Sequence, residues 1–369
     1  MKALREHWRF LIGAVAVLCL SGAVIAVATD TPAEIRLRTT LGLEAPCLPT
    51  TEDSPGWREE PSLPAPRDEN RAVVLDGKVY LAGGTEKLLE YGKPSDVPGV
   101  KEYVRAQSVD ELMRFDPATR RFEQLAPMPE RLNHVSMVTH DGRIYVVGGL
   151  GDVLFGADVR REMWEYDPAA DRWRDMPAMP TARGAASAGV IGDTLYVAGG
   201  VGENGRVLGT VEAFDFTTGR WERRADMPTA REHAAYAVAD DRLYVFGGRT
   251  PANDAITVVE AYEPEADRWR RAAPLPQRAG SFEAVVVDGY VVTVGGDSDI
   301  EGWVTGAVQR YEPARDAWLQ LPPMRTKRHG LAAAYAADRI WAFGGSPCAR
   351  FAASDIVESF DASRVAAGG

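Results

Sequence analysis

Cysteine, histidine and lysine are all scarce in this chain. Three cysteines and five histidines stand among 369 residues, and they nowhere show the paired spacing of a zinc site. There is no Gly-x-Ser-x-Gly elbow and no phosphate-binding loop, so the common hydrolase and nucleotide-binding motifs are missing. Positive charge is in deficit. The formal net charge is −11, which argues against nucleic acid as a partner. The basic residues are 36 arginines against 6 lysines, a bias that with abundant alanine would suit a bacterium with GC-rich DNA.

Only one long run lacks charge. Leu11 to Ala28 follows Lys2, Arg5 and Arg9, and one N-terminal hydrophobic helix is expected within residues 1–28. It is either an uncleaved signal-anchor, since the run reaches bilayer-spanning length, or a signal peptide cut at Ala26-Val27-Ala28. Both alternatives place the remainder outside the cytoplasm, in a periplasm or at the cell surface. The chain is membrane-anchored through this helix alone in the first case and secreted in the second. Residues 29–55 are polar and rich in Pro and Thr, and read as a linker. Cys19 falls in the apolar run, which leaves Cys47 and Cys348 as a candidate disulfide in an exported body.

What the chain does have is glycine in register. Gly-Gly pairs fall at Gly83/Gly84, Gly148/Gly149, Gly199/Gly200, Gly247/Gly248, Gly295/Gly296 and Gly344/Gly345. A period near fifty residues marks a blade repeat. Each pair closes a β-run such as Lys78-Val-Tyr-Leu-Ala, and each run follows a two-residue turn. Asp76-Gly77, Asp141-Gly142 and Asp288-Gly289 suit type I′ hairpins; Gly192-Asp193, Asp240-Asp241 and Ala337-Asp338 fill the same slot. Aromatic pairs then recur seven residues apart: Phe115/Phe122, Tyr166/Trp173, Phe214/Trp221, Tyr262/Trp269 and Tyr311/Trp318. Turns such as Asp116-Pro117 and Glu263-Pro264 separate them, which reads as a second hairpin. Each unit therefore holds four strands, a to d.

The sixth unit lacks its last strand. Phe360 has no Trp after it before the chain stops at Gly369, whereas Trp57 opens a segment with the form of a fourth strand. The N-terminal strand is expected to complete the C-terminal blade and remove the exposed edges. The pattern resembles the Kelch family of β-propellers, over roughly residues 56 to 362. The resemblance implies an all-β, six-bladed propeller with the Gly and aromatic pairs as structural elements, and residues 363–369 form a C-terminal tail.

An arginine begins every unit. Arg67, Arg183, Arg231 and Arg328 stand sixteen residues before the first Gly of their pairs, and Arg131 and Arg278 one residue earlier. In a propeller these positions surround one end of the channel, so six guanidinium groups are expected to ring a single mouth. That arrangement favours carboxylates or phosphates; the competing role is bonding of the connecting loops. Two residues or so further along come His134, His233 and His329, joined by Glu69. Glu283 and Arg71 are charged exceptions deeper in. The first unit carries an insert, Thr85 to Asp110, that could overhang this end. Asp297-Ser298-Asp299-Ile300-Glu301 lacks a full calcium motif.

No cofactor and no metal follow from these patterns, and no catalytic residue is assigned. The copper oxidases built on Kelch propellers need an adjacent Tyr-His, which is absent. The expected function is an extracytoplasmic binding module. It would hold an anionic small molecule or an acidic protein segment at the mouth, through Arg67, Arg131, Arg183, Arg231, Arg278, Arg328, His134, His233 and His329. A second reading is a sugar-acid mutarotase or epimerase, resembling Kelch propellers that act on sialic acid, with His134, His233, Glu232 or Glu283 as acid or base. A third is a scaffold.

Overall fold

Short β-branched and aromatic runs, each stopped by a turn residue, favour hairpins over longer elements. The computed structural model describes residues 51–93, 103–154, 158–252, 254–298, 303–348 and 352–367. The expected N-terminal helix, most of the linker and Cys47 lie outside the described residues. Six four-stranded antiparallel sheets form the blades. Blade one is Arg71–Leu75, Lys78–Ala82, Leu112–Asp116 and Arg121–Gln124, in the order a to d. The a strands of successive blades touch in a closed circle, blade six returning to blade one, so the a strands line the axis.

The turns take the backbone that their residues favour. Asp76 and Gly77 have φ of 50° and 71°, and Asp240 and Asp241 of 48° and 54°, as a type I′ turn requires. The Gly pairs have a further use beyond turning. Gly148 has φ 64°, and a Cβ there would sit 2.3 Å from the Arg183 carbonyl oxygen. The next residue, Gly149, donates its N–H to that same carbonyl at 2.9 Å. Missing side chains thus let the start of the following blade dock against the end of strand b. The same bond joins Gly200 to Arg231, Gly296 to Arg328 and Gly345 to Arg67.

The aromatic pairs are cross-strand neighbours. Tyr166 faces Trp173, Phe214 faces Trp221, Tyr262 faces Trp269 and Tyr311 faces Trp318. Their ring centroids are 5.0 to 5.3 Å apart. Each indole also reaches back to the preceding blade. Trp173 Nε1 donates to the Ala126 carbonyl at 2.9 Å, Trp269 to Ala225 at 2.9 Å and Trp318 to Ala273 at 2.9 Å. The N–H groups of those three alanines donate to Asp171, Asp267 and Asp316 at 2.7 to 2.8 Å. The same carboxylates accept from Tyr166, Tyr262 and Tyr311. Both backbone groups of the outgoing alanine are therefore satisfied by the next blade, so neighbouring blades are joined by directed bonds as well as by packing.

Trp57–Glu59 pairs antiparallel with Val357–Asp361, with Trp57 opposite Phe360. The rings lie 5.3 Å apart, and Trp57 Nε1 donates to the Pro322 carbonyl at 3.0 Å. The N-terminal strand thus occupies the place that Trp173, Trp269 and Trp318 hold elsewhere. The blade-forming segment exceeds its expected limits at both ends. Thr51 bridges Thr326, and Ser363–Ala367 is a short helix with Val365 buried beside Trp57. Arg310 Nη1 donates to the Val365 carbonyl at 2.7 Å. The insert of blade one is a hairpin of Thr85–Lys93 and Tyr103–Ser108, extended by Val153–Leu154 of blade two. Asp297–Ser298 forms a small ladder with Trp303–Val304.

The Trp57→Ala variant should lose about 3–5 kcal/mol of stability and expose the edge of blade six. Urea unfolding read by fluorescence and light scattering checks this; a variant that melts and stays dispersed like the parent contradicts the closure.

Candidate functional site: the axial cluster at the blade starts

The six arginines divide into two groups. Arg67, Arg183, Arg231 and Arg328 are 0 to 1 % exposed, and their side chains run into the blades. Arg183 donates to the carbonyls of Gly199 and Thr210, at 3.0 and 2.7 Å, and to Glu212 at 2.7 Å. Arg328 repeats this with Gly344, Ile356 and Glu358. Arg231 pairs with Glu260 at 2.7 Å, both side chains fully buried. Arg67 pairs with Glu111 and Glu86. Burial lowers the pKa of Arg183, Arg231 and Arg328, and the attached glutamates oppose it. The expected ring of six guanidinium groups at an open mouth is thereby corrected. Three are internal ties between strands b and c, Arg67 is buried against Glu111 and the insert hairpin's Glu86, and only Arg131 and Arg278 are exposed.

A signal for this stood in the sequence. Glu212, Glu260 and Glu358 each lie two residues before the strand-c aromatic. The two blades with displaced, exposed arginines carry Trp164 and Gln309 there instead. Blade one carries Met113 at that place, and its buried Arg67 pairs instead with the half-exposed Glu111 and Glu86.

At the axis a different ring appears. Glu69, His134, Ala185, His233, Ser281 and Gly330 all have left-handed backbones, φ 47° to 60°. Each N–H donates to the carbonyl of its counterpart in the neighbouring blade: Glu69 to Gly330, His134 to Glu69, Ala185 to His134, His233 to Ala185, Ser281 to His233 and Gly330 to Ser281. These distances run from 2.7 to 3.2 Å. The six bonds close a circle.

The side chains on and beside this circle form a buried polar cluster. Blade three supplies only Gly184 and Ala185, so the His134 and His233 rings meet across the gap with centroids 4.5 Å apart at 76°. His134 Nε2 lies 3.2 Å from Glu69 Oε2, and its Nδ1 bonds Asn133 Oδ1. His233 Nδ1 abuts the Glu232 carboxylate. His329 Nε2 donates to the Cys348 carbonyl at 2.7 Å, with Nδ1 3.5 Å from Asp297. Arg249 bonds Asp297 and Ser281. Arg71 pairs with Glu283 and sits 5.2 Å over the Tyr236 ring. The two charged exceptions of the sequence thus neutralise each other.

Burial dominates the electrostatics. It pushes His134 down to about 4 and His233 well below the usual histidine value, with Arg71 and Arg249 adding to the effect. Burial also acts to lower His329, but the carboxylates of Asp297, Asp68 and Glu69 outweigh it and raise it to about 8. Burial, then the Glu69 charge, raises Asp68 well above the carboxylate range. The adjoining cavity is about 10 Å³, lined by Glu69, Arg71, His233, Ser281 and Glu283 among others. It has room for about one water. The three histidines named from sequence do come together, and Asn133, Glu232, Arg249 and Asp297 complete a site that sequence reasoning did not assemble.

Removing one partner of a buried ion pair should cost far more than removing both. Glu260→Gln is expected to lower stability by about 3–5 kcal/mol, and Arg231→Met with Glu260→Met by much less. Urea midpoints of Glu260→Gln, Arg231→Met and the double variant decide this; a double loss equal to the sum of the two single losses would mean that the pair is not coupled.

Comparison with known proteins agrees with this architecture. The Attractin/LZTR1 beta-propeller family matches residues 97–351. Kelch-like protein terF of Aspergillus terreus is 32% identical over 172 residues, 43% of this chain and 34% of that protein. Human Kelch-like protein 33 is 29% identical over 162 residues, 43% of this chain and 27% of the relative. A Danio rerio Kelch repeat and BTB domain-containing protein 12 is 32% identical over 154 residues, 39% and 23% of the two chains. The matches span roughly a quarter to a third of these relatives' length. By its repeats, its closed ring of blades and the family match, the chain belongs to the Attractin/LZTR1 β-propeller family, as a six-bladed Kelch propeller.

Proposed function

We propose that the chain is a protein-recognition propeller that presents its blade-start face to an acidic segment of a partner. The observation that carries this reading is the contrast between the two faces of the ring. On one face every a-to-b connection is a two-residue turn. On the other the connections differ from blade to blade, and the longest is the hairpin of blade one, joined by a strand from blade two. Variable loops on a uniform repeat scaffold are where such proteins carry binding. Kelch propellers bind protein partners, which supports the class of ligand. Arg131, Arg278 and Lys327 are exposed on the same face and supply its positive charge.

The mutarotase reading asks for a cavity that admits a sugar acid. The axial cavity of about 10 Å³ is far below the roughly 300–1,000 Å³ of small-molecule sites. We therefore place recognition on the loops rather than in the channel. The location outside the cytoplasm belongs to this proposal. Its support is the charge-free run Leu11 to Ala28 behind basic residues. Among the described residues no helix is long and apolar enough to cross a membrane; residues 11–28 lie outside them. The proposed partner of Cys348 is Cys47.

Labelled hexaglutamate is a direct probe of the face. Wild-type chain should bind it, and the triple reversal Arg131→Glu, Arg278→Glu, Lys327→Glu should weaken binding at least tenfold, with the difference shrinking as salt rises. No binding, or equal binding by the triple variant, sinks the acidic-partner reading. Non-reducing peptide mapping of exported protein should recover a Cys47–Cys348 peptide pair. A pair with Cys19, or a free thiol at Cys47, overturns the assignment.

A further inference from the structure

We propose that Glu69, His134 and His233 form a binding site for a first-row divalent metal ion, tetrahedral zinc being the best match, on the axis of the propeller. The site is independent of the partner-binding reading. Its three side chains come from blades one, two and four, and their ligand atoms all lie within 4.8 Å of one another. Two imidazoles and a carboxylate are a nitrogen and oxygen donor set suited to zinc and its neighbours.

The surroundings fix which nitrogen faces the centre. Asn133 Nδ2 donates to Ser108 Oγ at 2.7 Å and to the Gly151 carbonyl at 3.0 Å. Those two bonds set the amide so that Oδ1 faces His134 and accepts from its Nδ1. The Nε2 lone pair is then directed at Glu69 Oε2, 3.2 Å away. A lone pair and a carboxylate oxygen at that separation repel each other unless a proton or a metal cation lies between them. Two ligands at about 2.0–2.2 Å from a tetrahedral zinc are themselves about 3.3 Å apart. His233 Nδ1 abuts the Glu232 carboxylate, so the second imidazole also has an acidic neighbour that can hold its ring in place. Metal-bound histidines characteristically give their other N–H to a carboxylate or carbonyl oxygen.

Charge and space agree with a cation. Glu69, Glu232, Glu283 and Asp297 gather here, against the guanidinium groups of Arg71 and Arg249 and the His329 imidazole. Glu69 also belongs to a second candidate set with Asp68 and His329, so its carboxylate stands where both sets meet. Ala185 keeps blade three out of the space, and the cavity of about 10 Å³ beside Glu69 and His233 has room for one water, enough for a fourth ligand. An ion at this point ties three blades together at the axis.

The test is metal binding by the full chain in mild detergent, after treatment with chelator. Equilibrium dialysis against Zn²⁺ should leave one zinc per chain, and Co²⁺ should give visible absorption bands. His134→Ala, His233→Ala and Glu69→Gln should each weaken zinc binding at least a hundredfold, while His140→Ala, at a half-buried histidine outside the cluster, retains it. Glu232→Gln, which removes only the orienting group, should weaken binding about 10–100-fold. Circular dichroism separates loss of the site from loss of the fold. Wild-type chain that retains no zinc and gives no cobalt bands overturns the proposal, as does a folded His134→Ala, His233→Ala double variant that binds as wild type does.

Discussion

The structure depends on closing a circle of six backbone hydrogen bonds around the axis. For the circle to close, one residue per blade must hold a left-handed backbone, and Glu69, His134, Ala185, His233 and Ser281 do so despite their side chains. Such conformations cost about 1–3 kcal/mol each outside glycine, so the surrounding blades must hold them in place. The Gly pairs supply part of that support, because their missing Cβ atoms let the next blade's first carbonyl dock. The indole-to-carbonyl bonds supply the rest at the outer edge. The six peptide dipoles run head to tail around the axis and so largely cancel. The field in the channel is therefore set by side chains.

That division of labour explains what the arginines do. An arginine at the start of a blade can point to the channel or into its own sheet. In blades three, four and six the choice follows from a carboxylate on strand c, far along the chain. Arg183 and Arg231 find Glu212 and Glu260 with a separation of 29 residues in both cases. Their guanidinium groups also cap carbonyls at the blade ends, which would otherwise be buried without donors. Arg131 and Arg278 lack such a glutamate and stay outside.

The fold was legible in the sequence because its determinants are local and repeated. Asp-Gly turns, the seven-residue aromatic spacing and the Gly pairs each act within one blade, and Trp57 announced the closing strand by its resemblance to Trp173 and Trp269. The direction of the arginines was not legible from their own positions, since it depends on a partner in another strand. The axial cluster was less legible still. Glu69, His134 and His233 come from three blades and meet only because Ala185 is small. A spacing motif can report ligands carried on one helix or hairpin; it cannot report ligands that ring closure brings together.

The pairing of Trp57–Glu59 with Val357–Asp361 sets an order of events during synthesis. The first strand of the propeller leaves the ribosome some three hundred residues before its partner. Five blades can take shape from neighbouring hairpins while blade six still lacks its outer strand. Until the last segment emerges, the ring stays open with two unsatisfied edges, which is when a β-protein is most prone to pair with the wrong chain. The final contact is also the one of greatest sequence separation, and such contacts form slowly. The propeller is therefore sealed last at the point where its first and last strands meet.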